Sequence, residues 1–94
     1  MISILLVVNN EKNLKKVKNI NNDDLYKKCG FKTNENFEKI YEKDVENVLY
    51  QYWSKKHGKD IYKYQIDGIT YYNKLLILKI KNNEFQNITE EDYN

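Results

Sequence analysis

The sequence predicts a small α+β domain: a mostly antiparallel, curved sheet of about five strands, with one short helix after the first hairpin and a short helical turn near the C-terminus. Three observations carry that expectation. The chain has 94 residues, the size of one domain spanning 1–94. Two segments, Ile2–Val8 and Leu75–Ile80, carry apolar residues on both alternating faces, as covered central strands do. One run, Asp23–Cys29, is punctuated as a helix, with acids at its start, lysines in its last turn and Gly30 after it.

The elements follow in order. In the first strand Ile2, Ile4, Leu6 and Val8 share one face, and Leu5 and Val7 the other. Asn9-Asn10-Glu11-Lys12 is a polar turn. The spacing of Leu14, Val17 and Ile20 fits a short helix or a hairpin partner over Asn13–Ile20, and the brief turn before it favours the strand. Asn22 or Asp23 is the expected N-cap of the helix, and Gly30 the left-handed residue that closes it. Phe37–Lys43 and Glu46–Lys55 form an expected hairpin around Asp44-Val45. On its second arm Val48, Tyr50 and Tyr52 face one way, and Leu49, Gln51 and Trp53 the other. Ser54–Asp60 is the longest polar stretch and the best loop. Ile61–Ile66 reads as a strand or an extended loop, Asp67-Gly68 as a turn, and Tyr71–Lys81 as a central strand. Thr89-Glu90-Glu91-Asp92 reads as a closing helical turn capped by Thr89 and anchored by Ile88 and Tyr93.

Composition limits the functional reading. There are 16 Lys, 14 Asn, 10 Ile and 9 Tyr, and no Arg, Ala or Pro. The abundant types have AT-rich codons, so base composition explains the Lys and Tyr excess without selection at a site. The net charge is +2, with seven Lys in residues 1–33 against Glu11, Asp23 and Asp24. A basic third of this kind is a solvated face or a surface for an acidic partner. Without Arg the chain lacks the fork that reads guanine, which argues against sequence-specific duplex recognition. The seven-residue start ISILLVV is too short to cross a bilayer and lacks the flanks of a signal peptide. One Cys and no signal pattern fit a reducing compartment, so the expectation is a cytoplasmic protein with no membrane association.

Chemistry is scarce. Cys29 is the only thiol and His57 the only histidine, two ligands where a metal site needs three or four. Cys29 follows Leu25 by four residues and so shares the face to be buried, which favours a structural thiol over a nucleophile. The acids at 23–24 and 90–92 are explained by capping. No phosphate loop, nucleophile elbow or zinc helix occurs. No catalytic, metal or cofactor residue is therefore assigned, and the chain is not expected to be an enzyme.

The candidate partner-binding set is aromatic and basic: Tyr50, Tyr52, Trp53, Lys55, Tyr62, Lys63, Tyr64, Tyr71, Tyr72 and Lys74. Three readings remain open. The set is cross-strand packing, a protein interface anchored by Tyr and Trp, or a stacking platform for single-stranded RNA. A last expectation concerns coverage. One short helix covers one sheet face in part, so either the sheet curls strongly or a second copy or a partner covers Leu5, Val7, Leu49, Trp53, Leu75 and Ile77.

Leu25-Tyr26-Lys27-Lys28-Cys29-Gly30-Phe31 followed by Phe37-Glu38, then Lys63-Tyr64, Asp67, Tyr71-Tyr72, the apolar Leu75–Ile80 and Ile88-Thr89-Glu90-Glu91, resembles a small uncharacterised protein family of large nucleocytoplasmic, mimivirus-like DNA viruses. The likeness covers most of the chain in order and spacing. It departs after Lys63-Tyr64, where relatives carry prolines and this chain has none. The resemblance implies no reaction. It implies a small viral interaction module, accessory to gene expression or assembly, located in the host cytoplasm or the virion. It would act by binding a protein or its own copies, or else, weakly, nucleic acid.

Overall fold

Four tight turns set the strand boundaries. Asn9-Asn10, Glu46-Asn47, Asp67-Gly68 and Asn82-Asn83 each place two successive residues at positive φ, between 51° and 80°. This is the twist that joins antiparallel strands through two residues. Asn supplies seven of the nine non-glycine positive-φ positions among the described residues. Its short amide side chain tolerates that region better than any other residue except Gly. The abundance of Asn, read from composition as base bias, thus has a structural use.

The structure is a computed structural model that describes residues 1–93. Its strands are β1 (Ile2–Val8), β2 (Glu11–Val17), β3 (Phe37–Val45), β4 (Val48–Lys55), β5 (Lys63–Ile66), β6 (Ile69–Lys81) and β7 (Glu84–Gln86). One four-residue helix, α1 (Leu25–Lys28), follows the first hairpin, and 3-10 turns lie at Asn22–Asp24, Asp60–Tyr62 and Glu90–Asp92. All seven strands join one antiparallel sheet. Its main path runs β2-β1-β6-β4-β3, and β5 and β7 pair with β6 beside β1.

The small antiparallel sheet with one short helix is as expected, with differences of detail. The sheet has seven strands because β5 forms and because β7, only three residues long, was invisible to periodicity. The second hairpin turns at Glu46-Asn47, not Asp44-Val45, since Tyr41, Lys43 and Val45 keep alternating into the turn. Asn21 caps the 3-10 turn that leads into the helix, its side chain accepting from the Asp23 N–H, while the cap position of α1 itself is Asp24, which makes no side-chain cap bond, so neither Asn22 nor Asp23 is the cap. Past the helix, Gly30 N–H bonds Lys27 O and Phe31 N–H bonds Tyr26 O, with Gly30 at φ 92°. This double closure satisfies carbonyls that the helix end leaves open.

Both faces of the sheet are covered by the chain itself. On the first face Ile4, Val17, Leu76 and Leu78 pack with Leu25, Cys29 and Phe31 from the helix and its exit. On the second face Leu5, Val7, Tyr52, Leu75 and Ile77 pack with Tyr71, Ile88 and, partly, Tyr64, Ile66, Ile69 and Tyr93. The cover here comes from the β5–β6 hairpin and the C-terminal segment. A bulge at Asn73-Lys74 makes the hairpin part of this cover: Ser54 pairs with Leu75 but Lys55 with Tyr72, and Asn73 sits at φ 72°.

This corrects the expectation of an uncovered face. Leu5, Val7, Leu75 and Ile77 are buried within one chain, and Leu49 and Trp53 are half-buried on the opposite face. The cover came from residues 64–71 and 88–93, far away in sequence, which no local pattern announces.

Candidate interaction surface

The loop after β4 builds a surface cleft. Lys56 N–H bonds Asn36 O, tying the loop to the start of β3. The 3-10 turn at Asp60–Tyr62 then returns the chain to β5. Between them lies an open cleft of about 300 Å³, lined by Glu35 and Asn36, by Lys55, His57, Gly58, Lys59 and Tyr62, and by Tyr72 and Asn73 of β6. That volume is at the lower end of ligand-sized pockets. Gly58 is required by close approach: a Cβ there would lie 2.8 Å from the Tyr72 ring. Tyr62, 45% exposed, lines the cleft, and its neighbour in the chain, Ile61, is 75% exposed.

The cations at this end are held on aromatic rings. Lys55 Nζ lies 4.9 Å and Lys74 Nζ 5.6 Å from the centre of Phe31, and Lys74 also donates to Gly30 O at 2.9 Å. Phe31, Phe37 and Trp53 continue as a row, with ring centres 5.8 and 6.1 Å apart.

The sequence-derived set is divided by the sheet. Tyr50, Tyr52, Tyr64 and Tyr71 belong to the second face. Tyr52 and Tyr71 are buried, and Tyr64 stacks on Tyr71 at 5.7 Å. The Tyr71 hydroxyl donates to Asn10 Oδ1 at 2.7 Å and accepts from the Asn10 N–H at 2.9 Å, so it serves the first turn. Trp53, Lys55, Tyr72 and Lys74 lie on the first face; Lys55, Tyr62 and Tyr72 meet in the cleft. Lys63 pairs with Tyr72 across β5 and is exposed. No single aromatic platform results.

A second feature is the C-terminal latch. Asp92 accepts from Tyr50 Oη at 2.6 Å, from the Thr89 N–H at 2.7 Å and from Lys79 Nζ at 2.9 Å. Burial alone would raise the Asp92 carboxyl; the bonds from Tyr50, Thr89 and Lys79 outweigh it and hold the group below the usual carboxylate range. Burial and the Asp92 bond push Tyr50 up to about 12. A 60 Å³ cavity beside this latch, bordered by Tyr50, Tyr52, Ile88 and Tyr93, holds a few waters at most.

Cys29 is buried against the first face, and burial pushes its thiol up to about 12, with Lys74 and Lys15 pulling the other way. It takes no part in the cleft that His57 lines. Among the described residues no three His, Cys, Asp or Glu side chains converge in a metal-holding group, and no helix is long and apolar enough to cross a membrane. The sequence-derived set left out Glu35, Asn36, His57, Gly58, Lys59 and Asn73 of the cleft, and Asp92 as a latch. Only the Thr89-to-Asp92 capping pattern carried a local signal for the last.

The fold and the cleft together define a class, an antiparallel-sheet domain with a basic, aromatic-edged surface cleft. No protein-family model, no curated protein and no solved structure matches the chain.

Proposed function

We propose that this chain is a small interaction module that works by being bound, and that the cleft around Lys55, Lys59, Tyr62 and Tyr72 seats a segment of another protein. The observation that carries the reading is the exposed Ile61–Tyr62 pair beside a cleft whose charged groups are mainly cationic. A segment with an apolar side chain for Ile61 and Tyr62, and carboxylates for Lys55 and Lys59, complements it. The buried positions of Tyr52 and Tyr71 weigh against a stacking platform for single-stranded RNA. The resemblance to the viral family adds a setting, viral gene expression or assembly, to which this module would be accessory.

The test is capture on the immobilised chain, with and without nuclease, beside the Ile61→Ser/Tyr62→Ser variant. Proteins retained after nuclease by the parent and lost with the variant support the reading. Retention that disappears with nuclease, or sub-micromolar binding of an oligouridine at physiological salt, overturns it in favour of RNA.

A further inference from the structure

We propose that copies of this chain associate head to tail, the β2 edge of one molecule against the β3 edge of the next, extending the sheet across molecules. The proposal stands independently of the cleft. β2 and β3 end the main strand path, and among the described residues no strand lies beyond either. Their outer backbone groups are free to pair.

The two edges carry opposite charge. Residues 11–18 hold four lysines against Glu11, while residues 35–46 hold five carboxylates against Lys39 and Lys43. Charged edges ordinarily keep strands apart. Here the two edges differ in sign, so repulsion acts against β2–β2 and β3–β3 pairing, and attraction favours β2–β3. A symmetric dimer through either edge is thereby disfavoured, and a heterologous contact is left.

Both edges also carry exposed apolar side chains. Leu14 on β2 and Tyr41 and Val45 on β3 are three of the six large apolar side chains left exposed among the described residues. Leu14 pairs with Leu5, and Tyr41 with Tyr52, so all three project from the second face. Four antiparallel steps separate β2 from β3, so both run in one direction. A copy placed alongside with its faces kept would form a parallel junction. Leu14 would lie between Tyr41 and Val45 on the second face, alongside the stem of Lys43, whose ammonium is held over Tyr50 and Tyr52, and Lys15 would meet Glu42 and Asp44 on the first. Only the regular half of β3 is used, because the register shifts between Lys39 and Tyr41. The existing Lys39–Glu42 pair is at the surface and exchanges at little cost.

Sedimentation velocity of the whole chain tests this, from micromolar to near-millimolar concentration at low and high salt. We expect concentration-dependent association whose constant falls about tenfold from low to high salt. Lys15→Glu/Lys16→Glu and Glu42→Lys/Glu46→Lys should each remain monomeric while keeping the parent's circular dichroism. The second variant leaves the bond from Asn47 N–H to Asp44 intact. Mixed together, the two variants should associate again, since each supplies the edge that the other lacks. A parent that stays monomeric throughout, a variant that self-associates like the parent, or a mixture that stays monomeric would overturn the proposal.

Discussion

Replacing Asp92 with Ala removes the acceptor that holds the C-terminal segment over the second face. Four hydrogen bonds are lost, from Tyr50, Lys79 and both the N–H and the hydroxyl of Thr89, and the Lys79 ion pair has side chains only 22% and 10% exposed. Bonds to a charged group contribute about 1.5–3 kcal/mol each when well buried, but this site is partly wet and its partners can rehydrate, so the net loss should be about 2–3 kcal/mol. For a domain of this size that lowers the midpoint of thermal unfolding by about 10–20 °C. Asp92→Asn keeps an oxygen acceptor without the charge and should fall between the two. The pH dependence has a definite sign. A carboxyl held below its usual value binds fewer protons folded than unfolded, so its contribution is complete above the usual carboxylate range. It disappears as pH falls through the lowered value. Thermal unfolding followed by circular dichroism should therefore show parent and Asp92→Ala far apart at pH 7 and converging in strong acid. Equal midpoints at pH 7, or a gap that widens on acidification, would refute the latch.

Other expectations follow from the same contacts. Cys29, buried with its thiol pushed up to about 12, should react slowly with a thiol reagent in the native state at neutral pH, and Cys29→Ser should cost about 1–3 kcal/mol by burying a hydroxyl among apolar neighbours; denaturant unfolding and labelling rates check both. Gly30→Ala should cost about 1–2 kcal/mol, because the residue sits at φ 92° and a Cβ would meet Lys74 Nζ at 2.8 Å; a chemical-denaturation midpoint equal to the parent's would count against the closure drawn for the helix. Leu76→Ala, at a fully buried central position, should cost about 3–4 kcal/mol by the same assay.

The sequence disclosed what is local. The two-faced patterns of β1 and β6, the Gly after α1, and the Asp67-Gly68 turn are short-range signals, and the structure uses each of them, whereas the cap bond before the helix falls to Asn21 and not to the acids. Long-range cover left no such trace. Ile88 bonds to Ser3 and packs on Leu5, yet nothing near residue 88 marks it as the lid of a strand 80 positions earlier. The aromatic set shows the same limit. Parity along one strand separates Tyr52 from Trp53, but only the pairings and the two core clusters show that Tyr50, Tyr52, Tyr64 and Tyr71 turn inward on one face while Tyr72 lines a cleft on the other. That cleft was not legible because its walls come from residues 35–36, 55–62 and 72–73, joined by backbone geometry such as Asn36 at φ 59° and the bulge at Asn73.

The central claim is that the 55–62 region is a protein-binding surface. It is tested most directly by a photo-crosslinking amino acid, p-benzoylphenylalanine, placed at Ile61, with the same group at exposed Glu84 of β7 as the comparison. A discrete adduct is expected at 61 that survives nuclease, is digested by protease and is missing at 84. An adduct at 61 that nuclease destroys, or the same pattern of products from both positions, would contradict it.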